Sequence, residues 1–299
     1  MSPFLQLRDS IAMVEFLCWL EREMTGKNRI YSEVECVDKL EAIKRKHVSY
    51  EGPSRPTVFS SGFNSAKTGY RPDPSLIVSS DHHYRIQTGG HYKNGTASVT
   101  RTTSWSQIEA PPTTKTPPTL STSPEFIANY TMVLKGHIQV AAQKFRVGVT
   151  NGARLEVLVR KTFWMQGYDY EQDIGHNVGH CLNLRDTQGD PEPENDGIVE
   201  PNQVISLEPA FYAKDEKYGI QIGNCYETIA VGQEQLLAFR ALTLVPIQTS
   251  FIVKSMLTPE EILWINQYHF RVFAEIGPLL TKEGKVDELK WLQKACQPI

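Results

Sequence analysis

Apolar residues recur at helical spacing in six stretches of the chain. In the first, Asp9 to Met24, the residues Ile11, Val14, Leu17, Cys18 and Leu20 fall close to one face, behind Asp9 or Ser10 as N-cap. In the second, Ser32 and Glu35 have capping-box spacing, and Val37, Leu40 and Ile43 keep an apolar stripe. Two more helices are predicted over Glu125 to Lys144, with Ile127, Tyr130, Leu134 and Ile138 inward, and over Ala153 to Gln166, with Leu155, Leu158, Val159 and Thr162 inward. Thr258-Pro259-Glu260-Glu261 is a second capping box, with Pro at the first helical position of a helix running through Phe273. A short last helix covers Val286 to Ala295. Between these stretches the pattern turns to β. An extended piece is expected at Thr57 to Phe59. One strand ends near Thr88 and another covers Ala97 to Thr100, with Lys93-Asn94-Gly95 as the hairpin turn. In the second half, Val204 to Leu207, Tyr218 to Ile222, Thr228 to Val231 and Ala241 to Val245 read as short strands of a curved sheet. Ala110 to Pro124 holds five prolines and is expected to be an extended surface loop.

At 299 residues the chain is long enough for a sizeable core, and 40% hydrophobic with 22% charged residues is an ordinary globular composition. The formal net charge of −3, with no basic block, gives no reason to expect a nucleic-acid partner. No apolar run approaches the ~18 residues of a membrane span, and the start MSPFLQLRDS lacks a basic region followed by an apolar one, so a cytoplasmic chain without a membrane partner is expected. Five widely spaced cysteines without a CxxC pair fit reduced thiols better than a disulfide framework. Two sequons, at Asn94 and Asn129, matter only in a secreted chain.

Candidate chemistry gathers at two places. His176 and His180 lie four apart among glycines, which on a helix is metal-ligand spacing; but the Glu that follows the first His in an HExxH helix is absent, and a loop or strand fits as well. Glu208, inside Ile205-Ser206-Leu207-Glu208-Pro209, is a carboxylate in an apolar strand, marking either a pocket or a strand end facing water.

The order of several segments resembles the catalytic domain of aminopeptidase P, the Xaa-Pro aminopeptidases. They are Val99-Thr100-Arg101-Thr102, Val133-Leu134-Lys135-Gly136-His137-Ile138, Gly175-His176-Asn177-Val178-Gly179, Leu182-Asn183, Leu207-Glu208-Pro209 with Tyr212, Tyr218-Gly219-Ile220 and Leu242 to Ile247. The resemblance is collinear from about Arg8 to Pro298. It implies the α+β pita-bread fold, a curved antiparallel sheet covered by helices, as one unit over residues 1–299 without the family's N-terminal domains. It also implies two divalent metals, usually manganese, and cleavage before a penultimate proline. Against that pattern, the two metal-binding aspartates fall on Gln87 and Ser98, and the last metal-bridging glutamate on Gly223. The ligand histidine and the remaining glutamate are kept as His176 and Glu208. The family's other site histidines fall on Gly69, Gln172 and Arg185, and its motif arginine on Gln221.

Three of five metal-ligand positions are thus substituted, so no metal cofactor is expected, because catalytic zinc needs three protein ligands and Gln87 is a poor third. Without a metal to lower the pKa of water, hydrolysis is expected to fail. The replacements still leave hydrogen-bonding groups, so a cleft lined by Gln87, Ser98, Gln172, His180, Arg185, Gln221 and Tyr212, with His176 and Glu208 at its centre, is expected to bind a small molecule or peptide. A non-hydrolytic binding protein, as a homodimer, is the first expectation. The alternative is a metal-independent lyase, cyclase or isomerase, with His176 as acid or base, Glu208 as its partner and Arg185 as an anion clamp. Creatinase, which resembles the family and works without metal, is the precedent.

Overall fold

The computed structural model describes residues 3–26, 30–105, 123–169, 173–179, 197–213, 217–232 and 235–299. The chain opens with helix α1 (Pro3–Thr25) and helix α2 (Glu33–Lys44). The predicted capping box starts α2: the Ser32 side chain accepts from the Glu35 amide while Glu35 accepts from the Ser32 amide. Strands β1 (Tyr50–Pro53), β2 (Val58–Ser61), β3 (Tyr84–Thr88), β4 (Gly90–Tyr92), β5 (Gly95–Thr96) and β6 (Val99–Thr103) follow. Next come helix α3 (Pro124–Ala141), strand β7 (Lys144–Arg146) and helix α4 (Gly152–Trp164). The second half contributes β8 (Gly175–Asn177), β9 (Val204–Leu207), β10 (Ala210–Tyr212), β11 (Gly219–Gln221), β12 (Gly223–Val231) and β13 (Leu236–Ala241). Helices α5 (Pro259–Lys282) and α6 (Val286–Ala295) close the chain.

The principal sheet is antiparallel, in the order β2-β3-β6-β12-β13-β7, with β9 laid on β12 and β8 on β9. Strand β12 is its hub: Gly223 and Asn224 pair with β6, Tyr226 to Val231 pair with β13, and Asn224 to Glu227 pair with β9. Period-two alternation divides its faces. On β3, Tyr84 and Ile86 enter the core shared with α1 and α2, and Arg85 and Gln87, alternating with them along the strand, line a cavity. The larger core joins α3, α4 and α5 to the second-half strands through residues such as Phe126, Val133, Val159, Ile222 and Ile265. Among the described residues no helix is long and apolar enough to cross a membrane.

The expected α+β architecture is present, with local differences that have physical causes. Helix α1 begins a turn and a half before Asp9, so neither Asp9 nor Ser10 is a cap. Asp9 instead lies buried 3.0 Å from Lys44 Nζ and accepts from the Tyr92 hydroxyl, and Ser10 donates to the Gln6 carbonyl. The helix expected to reach Lys144 ends at Ala141, and Lys144 opens β7. Strand Thr228 to Val231 is the distal part of a longer strand. Ala241 to Val245 is not a strand beyond Ala241: the Leu244 amide bonds Ser10 Oγ, and the Leu242 and Thr243 amides share the Cys225 carbonyl, so no ladder forms. The α5 stripe continues past Phe273 through buried Ile276 and Leu280. The expected hairpin turn at Lys93-Asn94 joins β4 and β5, a small sheet shared with β1, and β3 pairs directly with β6. The proline-rich stretch lies outside the described residues except at its end, where Pro124 is the first residue of α3. Cys18, Cys36, Cys225 and Cys296 are free, in line with reduced thiols.

Candidate functional site

Glu208 follows directly on β9, its amide fixed to the Ile174 carbonyl at 2.6 Å. Its side chain is buried, and donors surround it. Ser206 Oγ and Ser98 Oγ reach Oε1 at 2.6 and 3.2 Å. Gln87 Nε2 reaches Oε2 at 3.1 Å, Gln221 Nε2 approaches at 3.5 Å, and an Arg55 Nη lies 3.8 Å away. Burial alone raises a carboxyl pKa. Here the charges of His176 and Arg55 and the hydrogen bonds from Ser206 and Gln87 outweigh it, and Glu208 lies below the usual carboxylate range.

His176 sits on β8 rather than on a helix, so four-residue spacing to His180 does not place the two imidazoles on one helical face. Its Nδ1 donates to the Asn177 carbonyl at 2.9 Å, and its Nε2 lies 3.9 Å from Glu208 Oε1. Gln221 is a relay: its amide nitrogen faces Glu208, and its Oε1 accepts from Arg85 Nη1 at 3.2 Å. Arg85 also donates to the Lys67 carbonyl at 3.0 Å and approaches the Tyr212 hydroxyl at 3.5 Å, with its guanidinium 5.6 Å from the Tyr212 ring centroid.

These groups line a cavity of about 540 Å³, whose other wall is the Thr68 to Arg71 segment. That wall is tied to α2 by buried Glu33, which accepts from the Ser61 amide at 2.8 Å, from Asn64 Nδ2 at 3.2 Å and from the Tyr70 hydroxyl. The structure therefore brings together Gln87, Ser98, His176, Glu208, Tyr212 and Gln221. Gln172, His180 and Arg185 lie outside the described residues. Sequence reasoning missed Arg55, Arg71, Arg85 and Ser206. The signal for Arg85 was its two-residue offset from Gln87 on one strand, and for Ser206 the same offset from Glu208.

The donor set bears on metal binding. Among the described residues no group of three or more His, Cys, Asp or Glu side chains converges where an ion could be held. A Cβ on Gly223 would come within 2.9 Å of Thr100 Cβ and 3.1 Å of Glu208 Cγ. Both carboxylate oxygens of Glu208 accept hydrogen bonds from Gln87, Ser98 and Ser206, contacts that an ion bound there would have to displace.

Fold and cleft define a peptidase-family scaffold, and sequence comparison gives the family: residues 6–230 match metallopeptidase family M24, and residues 235–299 match the C-terminal region of peptidase M24. The chain belongs to family M24. It is 43% identical to Xaa-Pro aminopeptidase app-1 of Caenorhabditis elegans over 98% of its own length and 46% of that protein's. It is also 43% identical to Protein pid-5 of the same organism, over 98% of its own length and 27% of that protein's. A solved X-prolyl aminopeptidase from Caenorhabditis elegans, described as a cytosolic enzyme with a di-nuclear active site, superposes with a TM-score of 0.89 at 43% identity, covering 99% of this chain and 47% of that one. The chain thus spans less than half the length of each of these relatives.

Proposed function

We propose that this chain is a non-hydrolytic member of the aminopeptidase P group, its cleft kept for binding a ligand rather than for metal-assisted cleavage. The observation that carries this reading is the hydrogen-bond ring on Glu208. Gln87 and Ser98, at the positions where the resemblance expects metal-binding aspartates, donate to Glu208 instead of joining it as ligands. Two divalent cations would bring four positive charges against this one carboxylate, leaving about three uncompensated in a buried place where each costs several kcal/mol. The Arg55 guanidinium beside it raises that cost further.

A metal-free reaction would need His176 and Glu208 to work as a pair. Their 3.9 Å separation is longer than a hydrogen bond, and Glu208 is occupied by other donors, which argues against that reading. The deciding experiment incubates the purified chain with excess Mn²⁺ or Zn²⁺, desalts it and measures bound metal by elemental mass spectrometry, alongside release of the first residue from an Xaa-Pro peptide. Near-zero metal and no release are expected. One or more tightly held ions per chain, or manganese-dependent release, overturns the proposal.

A further inference from the structure

We infer that the cleft takes an oxyanion ligand, a small organic acid or phosphate ester whose carboxylate or phosphoryl group pairs with Arg85 and Arg55. This rests on the reading of the cleft as a metal-free binding site. Among the described residues three arginines, Arg55, Arg71 and Arg85, line the cavity against two acids, Asp173 and Glu208. Glu208 is already satisfied by its ring of donors, whereas Arg71 and Arg85 have no acid partner among the described residues and Arg55 only the distant Glu208.

Arg85 is the centre of the argument. Alternation on β3 turns it to the cleft side with Gln87, and it is only 4% exposed. Its acceptors, Gln221 Oε1, the Lys67 carbonyl and the Tyr212 hydroxyl, are all neutral, and among the described residues its buried Nε–H has no partner. Burial pushes its pKa down, the sign of a cation short of stabilisation. Arg55 reaches only Glu208, at a distance beyond a hydrogen bond, and Arg71 is exposed on the facing wall. A guanidinium offers five donors in a planar fork that matches carboxylate and phosphate oxygens. The Tyr212 ring beneath Arg85 holds that fork in place.

Arg101 provides the internal control. Also buried and without a carboxylate partner among the described residues, it spends Nε, Nη1 and Nη2 on the carbonyls of Pro246, Thr100, Gly223 and Val245, the Asn224 amide oxygen and the Tyr268 hydroxyl. It has no donor left for a ligand; Arg85 has.

The test is isothermal titration of the 299-residue chain with succinate, citrate and inorganic phosphate, and with succinamide as the neutral comparator, repeated on Arg55→Met and Arg85→Met, with metal content measured on the same sample. At least one of the three anions is expected to bind at one site per chain, with succinamide silent and affinity falling roughly tenfold or more in Arg55→Met. Binding of succinate or citrate alone assigns an organic acid, and binding of phosphate alone a phosphate ester. Arg55 is at the cleft edge, so its variant decides the matter even where Arg85→Met does not fold. A metal-free protein that ignores all three anions, or that binds succinamide equally, overturns the inference while leaving the proposed function standing. Unchanged affinity in the arginine variants also overturns it. A metal-loaded protein overturns the proposed function instead.

Discussion

Arg101 and Arg85 are buried on neighbouring strands of one sheet and use their charge in opposite ways. Around Arg101, six acceptors from β6, β12, α5 and the segment before it close on the guanidinium, so the cation is dispersed over carbonyl and hydroxyl dipoles and ties the sheet to α5. Around Arg85 the acceptors are fewer and neutral, one donor is orphaned, and the neighbouring space is a cavity. The difference teaches that burial of a charge does not by itself mark function. What separates a strut from a binding group is donor capacity left over next to a space that can hold a partner.

The strongest way to break this contrast is to truncate the strut. Arg101→Met is expected to cost about 3–5 kcal/mol, since it strands several buried acceptors at once, measured as a fall in the urea midpoint. Acid attacks the same region through its histidines. His137 is pushed down to about 3 and His269 to about 4, first by burial and then by Arg101. Each stays neutral when folded and gains a proton near pH 6.5 when unfolded, so stability is complete above about pH 6.5 and declines as pH falls below it. The decline is about 1.4 kcal/mol per pH unit for each histidine. Urea midpoints between pH 7.5 and 5 should show that slope, and a flat profile would contradict it. Below about pH 4.5 the depressed Glu208 adds a loss of the same sign. On the cleft side, Glu33→Gln removes charged acceptors from the Ser61 amide and the Tyr70 hydroxyl. It is expected to cost about 1–3 kcal/mol, with faster amide exchange over 61–73 as its specific signature. The smallest stability effect is expected from Arg85→Met, a loss of about 1 kcal/mol, because it strands fewer acceptors than Arg101→Met and the removed cation carries its own desolvation cost. A loss as large as that of Arg101→Met would erase the distinction.

Much of the scaffold was legible because it follows from local chemistry. The Ser32 and Thr258 boxes and the α3, α4 and α6 stripes need only neighbours in sequence. So did the embedding of Glu208, a carboxylate in an apolar strand that is buried as that pattern allows. What failed depends on distant partners. Asp9 has a capping residue's chemistry, yet Lys44 and Tyr92 claim it. The apolar run after Ala241 has a strand's pattern, yet Ser10 and Cys225 take its amides. Arg85 reads as a solvent-facing position on any propensity scale, and only the enclosing Tyr212, Gln221 and Lys67 make it a buried one.

Gly223 limits which side chains the site can accept. With Thr100 Cβ and Glu208 Cγ where they now stand, no side chain fits at 223 until β6 and β12 move apart. Any mutational path toward a second carboxylate there must first pass through a destabilised protein with a crowded sheet and an unrelieved like-charge pair. Gln87→Asp and Ser98→Asp would strip Glu208 of two donors and set three acids together. Each added carboxylate is disfavoured before the next is in place, so single substitutions toward an acidic cleft are expected to lower stability one after another.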